Sequence, residues 1–99
     1  MDFHFSLDSV DFVWDDAKAV RNLVKHDGIT FEQAATVFFD PLFRLVDAER
    51  NDEARDAIIR FDRASRLLFV VHIQQGDAAI RIISARKATT SERYDHEHF

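Results

Sequence analysis

"RLLFVVHIQQGDAAIRIISARKATTSE", Arg66 to Glu92, carries the reading of the fold. Two runs rich in β-branched and aromatic residues, Arg66–Ile73 and Ala78–Ala85, are separated by the short polar connection QQGD. That is the pattern of an antiparallel hairpin. The first run is almost continuously apolar, as a strand covered on both faces would be, so it is expected at the sheet centre. Beyond the second run, Thr89 and Glu92 form the box TTSE. There the Thr hydroxyl can accept from the third helical amide while the Glu reaches back to the cap, which starts a short helix through Tyr94.

Working outward, AIIRF (Ala57–Phe61) reads as another strand, joined to Arg66–Ile73 through DRAS. Before it, the hydrophilic DAERNDEARD (Asp47–Asp56) reads as a loop, and Leu42–Val46 as a strand entered through Pro41, which cannot continue a helix. Thr30 and Gln33 make a capping box for a helix whose buried stripe is Phe31, Ala34, Ala35 and Phe38. Asp15 can cap an earlier helix running to about His26, with Gly28 as its left-handed stop. In that helix Ala17, Val20, Leu23 and Val24 follow helical spacing and are expected to pack, leaving Lys18, Arg21, Asn22 and Lys25 on the opposite, basic face. FVWD (Phe12–Asp15) is a short strand. The alternation of Phe3, Phe5 and Leu7 would lengthen it, or else residues 1–11 form a flexible terminus; residues 95–99 read as a frayed tail. The order is strand, two helices, four strands, helix: one α+β domain over residues 1–99, its helices segregated from an antiparallel meander.

Composition narrows the function classes. Ninety-nine residues make one domain able to bury about 60 to 65% of its unfolded surface. With 46% hydrophobic residues and ten Phe against two Gly and one Pro, the chain is a packed globule, not a disordered one. The absence of Cys excludes disulfides and thiolate chemistry. No apolar run is long enough to span a bilayer and the N-terminus lacks the bases of a signal peptide, so no membrane is expected and the cytoplasm is the default compartment. The formal charge of −5 would repel a polyanion, yet Ile80–Tyr94 carries Arg81, Arg86, Lys87 and Arg93 against Glu92 alone. Positive charge is gathered in one place.

The blocks FVWDDAKA, NLVKHDGITFEQAATVF, DPL, RLLFVV and IRIISARKAT, followed by Glu92, Arg93 and Tyr94, resemble the BrnT family of type II toxins over about Phe12 to Tyr94. The joint order of the KH, FEQA and ISARKAT blocks carries the resemblance. It implies a RelE-like fold and a metal-independent endoribonuclease that cleaves mRNA and inhibits growth. It further implies neutralisation by a BrnA-like antitoxin whose ribbon-helix-helix domain binds operator DNA, so that DNA is reached only through the antitoxin. The chain departs from the family pattern at Asp27, which precedes Gly28, and at Arg60, Asp62 and Ser65, where the hairpin is expected to bend differently.

Metal-free RNA cleavage needs a base for the 2′-hydroxyl proton, cations around the pentavalent phosphate, and help for the leaving oxygen. The resemblance places Lys25, His26, Arg81, Arg86 and Tyr94 in these roles: Lys25 or His26 as base or acid, the two Arg as phosphate clamp, Tyr94 for stacking or proton donation. Lys18, Arg21, Lys87 and Arg93 would extend the RNA-binding surface. Each has a plainer reading: His26 as a helix C-terminal cap, Arg81 as the polar half of an alternating strand, Tyr94 as packing. His96 and His98 are more simply a terminus than a metal site, and neither metal nor cofactor is expected. The acidic surplus predicts weak, salt-sensitive RNA affinity. The alternative function is a catalytically degenerate toxin-like module that only pairs with a DNA-binding antitoxin as co-repressor.

Overall fold

The computed structural model describes residues 1–40 and 56–98. The expected strand Leu42–Val46 and most of the loop after it lie outside the described residues. The chain opens with a hairpin of β1 (Asp2–Leu7) and β2 (Val10–Asp15), Leu7 opposite Val10. Asp8 and Ser9 alone connect them, both at positive φ (49° and 68°), the backbone of a two-residue turn whose twist matches that of the strands. The alternation of Phe3, Phe5 and Leu7 thus belongs to a strand of its own and not to an extension of Phe12–Asp15.

Asp15 then caps α1 (Asp16–Lys25) by accepting from the Lys18 amide at 3.0 Å. The helix ends at His26, where both Asp27 (φ 55°) and Gly28 (φ 77°) take the left-handed conformation expected of Gly28 alone, and the Gly28 amide reaches back to the Leu23 carbonyl. The Thr30–Gln33 capping box is present in both directions and starts α2 (Phe31–Thr36), which continues as a 3-10 turn, Val37–Phe39. β3 (Asp56–Phe61), β4 (Leu67–Gln75) and β5 (Ala79–Lys87) form an antiparallel meander. Between β3 and β4, the buried Asp62 carboxylate accepts from the Ala64 and Arg66 amides and ion-pairs with the Arg66 guanidinium. Ser65 supplies the positive φ of that turn. α3 (Thr90–Glu97) begins at the Thr89–Glu92 box and runs past Tyr94, so the expected frayed tail is helical to Glu97.

The α+β class holds, with two adjustments to the sheet. Its order is β1-β2-β5-β4-β3, so β5 is the middle strand and β4 lies beside it. In β4 Leu68, Val70 and His72 are buried on the core side, while Phe69, Val71 and Ile73 on the other face are half-buried. β2 joins β5 in parallel over Asp11–Val13 against Ala79–Arg81, not as part of an antiparallel meander. The chain leaves β2 through two helices before returning, and such a crossover restores the strand direction. One sheet face packs Phe12, Trp14, Ile58, Leu68, Val70, Ile82 and Ala85 against Ile29, Phe31, Ala34, Ala35 and Val37. On the other face α3 sets His96 edge-on to Phe61 and Glu92 against Arg86. No helix among the described residues is long and apolar enough to cross a membrane.

Candidate functional site

The parallel pairing of β2 stops at Arg81, and β5 continues to Lys87. Beyond that point the edge of β5 turned from β4 needs new partners for its amides and carbonyls. Helix α1 provides them. Asn22 is 6% exposed, and its carboxamide accepts from the Ala85 amide at 3.1 Å while donating to the Ala85 carbonyl at 2.8 Å and the Ile29 carbonyl at 3.1 Å. One side chain replaces a strand neighbour.

This anchor fixes the rotation of α1 and overturns the expected packing face. With Asn22 inward, Val20, Leu23 and Val24 are exposed, and only Ala19 packs partly on the core. An apolar stripe would ordinarily win, but here the backbone of β5 offers a donor and an acceptor that would otherwise be buried unpaired. Residues three and four apart share a helix side, so Lys18, Arg21 and Lys25 form one row flanking Asn22. That row and His26 line an open depression of about 320 Å³ whose other wall is Ile83 and Ser84 of β5. The sheet register slips by one residue between Val71 and His72, making Ile83 the extra residue of a bulge. Through it Arg81, Ser84 and Arg86 oppose Ile73, Val71 and Phe69 on the face away from the core.

Both expected phosphate clamps are engaged within the chain. Arg86 makes a two-pronged contact with Glu92 (Nη1–Oε1 2.8 Å, Nη2–Oε2 2.9 Å) and lies over the Phe69 ring, 4.1 Å from its centroid. The Arg86 hydrogen bonds push the Glu92 carboxyl down to about 2. Arg81 grips Asp2 the same way (3.1 and 2.7 Å), which lowers the Asp2 carboxyl below its usual range. Each carboxylate presents two oxygens to the guanidinium fork, as a phosphodiester would. Lys87 is exposed at the end of β5. Arg93 approaches Glu97 at 3.9 Å, and the exposed Tyr94 ring stacks on His98 with centroids 3.9 Å apart. Neither lines the depression.

Lys18, Arg21, Lys25 and His26 are therefore brought together; Arg81 and Arg86 share the adjoining sheet face; Lys87, Arg93 and Tyr94 stand apart from the depression. Sequence reasoning missed Asn22 as the anchor, Ser84 as the opposite wall, and Glu92 and Asp2 as guanidinium partners. The signal for Asn22 was present: a weak helix former in mid-helix needs a reason. Ser84 had none, because a bulge leaves no mark in the residue pattern. Among the described residues no three His, Asp or Glu cluster as metal ligands would. A larger depression, about 450 Å³, is lined by Thr36, Phe39, Asp40, Phe61, Asp62, Arg63 and Ser65 and contains none of the candidate residues.

Against known proteins, residues 14–92 match the family described as "Ribonuclease toxin, BrnT, of type II toxin-antitoxin system". No curated protein matches the chain. Among solved structures, the ribonuclease toxin BrnT of Brucella abortus superposes with a TM-score of 0.58 at 22% identity, covering 78% of this chain and 94% of that one. At that identity the likeness is one of fold.

Proposed function

The chain belongs to the BrnT family of ribonuclease toxins of type II toxin-antitoxin systems, and from that premise we propose that it is a cytoplasmic, metal-independent endoribonuclease that cleaves mRNA and arrests growth. A BrnA-like ribbon-helix-helix antitoxin neutralises it and carries it to operator DNA. The observation behind this reading is the depression itself: in a chain of net charge −5, Lys18, Arg21, Lys25 and His26 all face one open space beside Ser84.

The chemistry follows from what these side chains can hold and move. Lys25 and His26 are consecutive at the C-terminal end of α1, so a phosphodiester seated over Ser84 would meet both. One removes the 2′-hydroxyl proton; the 2′-oxygen then attacks phosphorus, the bond to the 5′-oxygen breaks, and a proton returns to that leaving oxygen. Lys18 and Arg21 hold the flanking phosphates. Arg86 is on the same sheet face as Ser84, and its fork can exchange the Glu92 carboxylate for the non-bridging oxygens as negative charge develops on them. The exposed Tyr94 stacks on an unpaired base by exchanging its His98 neighbour for it.

The test is direct. Purified protein should cleave single-stranded RNA in EDTA, leaving 2′,3′-cyclic phosphate ends, and induced alone in a bacterium it should stop growth. Lys25→Ala and Arg86→Ala should abolish both effects while circular dichroism stays unchanged. Growth unaffected by the intact chain would refute the nuclease reading.

A further inference from the structure

The rotation of α1 that buries Asn22 leaves the far side of the helix uncovered. Val20 and Val24, one turn apart there, are 61% and 85% exposed, and Leu23 beside them is also exposed. Two further exposed apolar residues precede the helix. The Met1 carbonyl accepts from the Asp16 amide at 2.9 Å, which places the 90% exposed Met1 against the first turn of α1, and the exposed Phe3 follows on β1. Of the six large apolar side chains exposed among the described residues, these are five; Tyr94 is the sixth. Single exposed apolar residues are ordinary, whereas a contiguous set on one side of a small domain marks an interaction surface.

Its borders say what fits. Along one flank run Lys18, Arg21 and Lys25, the same row that walls the depression. A second copy docked helix to helix would bring two such cationic rows close together, which disfavours self-association. Single-stranded RNA finds no aromatic platform on the valine ridge of α1. The complement is a protein helix with an apolar stripe of its own, edged by Asp and Glu. Resting on the reading of this chain as a toxin with a cognate antitoxin, the geometry points to α1 as the seat of that antitoxin: an acidic amphipathic helix packs on Val20, Leu23 and Val24 and extends its carboxylates over Lys18, Arg21 and Lys25. Binding energy then comes from a ridge that takes no part in cleavage, and inhibition comes from the carboxylates that cross into the depression. The two effects are separable by mutation.

The experiment titrates purified cognate antitoxin into the intact chain and into the double variant Val20→Ser, Val24→Ser, which adds no charge beside the cationic row, with RNA cleavage measured in parallel. The expected result is a Kd raised at least about thirty-fold, the scale of losing an interface hot spot, with cleavage by the free variant unchanged. A conservative control, Val24→Ile, keeps wild-type affinity. Unchanged affinity in the double variant, with the intact chain binding normally, overturns the α1 seat while leaving the toxin reading in place. An intact chain that does not bind the antitoxin overturns the partner reading itself. An intact chain that is dimeric and becomes monomeric in the double variant overturns the proposal in favour of a second copy. Should the double variant fail to fold, amide hydrogen exchange of the intact chain decides: slowed exchange in α1 on adding antitoxin upholds the seat, and unchanged exchange there overturns it.

Discussion

Asn22 and Ala85, sixty-three residues apart in the chain, hold each other through two opposed hydrogen bonds, amide to side-chain oxygen at 3.1 Å and side-chain nitrogen to carbonyl at 2.8 Å. The α1 residues that line the depression take their position from this contact, because it sets both the distance of α1 from β5 and the rotation of the helix.

Replacing Asn22 with Leu should therefore cost more than a typical buried hydrogen bond. It leaves the Ala85 amide and two carbonyls without partners, a loss of roughly 2 to 4 kcal/mol in urea unfolding. Cleavage should fall further than stability does, since Lys25 and His26 shift with the helix. Wild-type stability in Asn22→Leu would show the anchor to be incidental.

Freeing Arg86 should strengthen RNA binding. In Glu92→Gln the guanidinium loses its charged partner but keeps Phe69 beneath it. The expectation is several-fold tighter binding of a non-cleavable single-stranded oligonucleotide, together with a stability loss of about 1 kcal/mol for a half-exposed pair. Weaker binding in this variant would mean that Glu92 positions Arg86 and does not compete with phosphate.

The same pair predicts an acid limb. Glu92 sits at about 2 in the folded chain against an ordinary value near 4.5. Its contribution to stability is fully present above the ordinary value and is lost as pH falls from there toward 2. His72 adds a second, milder slope. Its pKa is lowered, chiefly by burial and against the opposing charge of Asp56, so the unfolded chain takes up the proton first and stability declines as pH drops below about 6.5. Thermal unfolding between pH 2 and 7 should show both regions. Glu92→Gln reduces the lower one, to which the lowered Asp2 and Asp15 carboxyls also contribute, and His72→Leu removes the upper.

Salt should weigh heavily on RNA affinity and lightly on the helix. Each of Lys18, Arg21 and Lys25 that meets a phosphate contributes about 0.7 to the slope of log K against log salt for a single strand. Lys18→Ala should lower that slope by this amount at unchanged urea midpoint. A slope unaltered by the substitution would remove Lys18 from the RNA surface.

Much of the fold was legible because local chemistry specified it. Thr30 with Gln33 and Thr89 with Glu92 set two helix starts, Asp15 a third, and the β-branched runs set the meander. What remained hidden depended on pairing at a distance. The Asp8–Ser9 turn lacks the Asn-Gly or Asp-Gly signature of its type, so β1 could not be told from an extension of β2. Helical spacing showed that α1 has an apolar side and a basic side, and burial of the apolar side is the general rule. The rule failed because the needs of the β5 backbone outweighed three aliphatic side chains, which nothing in residues 16–25 alone could reveal. The cations were identified by type and block, whereas the carboxylates that hold Arg81 and Arg86 became visible only once β1 and α3 were placed.

The middle strand of the sheet is also the last of the five to be synthesised. Until residues 79–87 leave the ribosome, the N-terminal hairpin has no further strand beside it, Asn22 has no Ala85, and the cationic row of α1 has no opposite wall. A nascent chain can make its turns and helix starts early but cannot assemble the depression piecemeal. The depression is thus completed by one late, long-range closure.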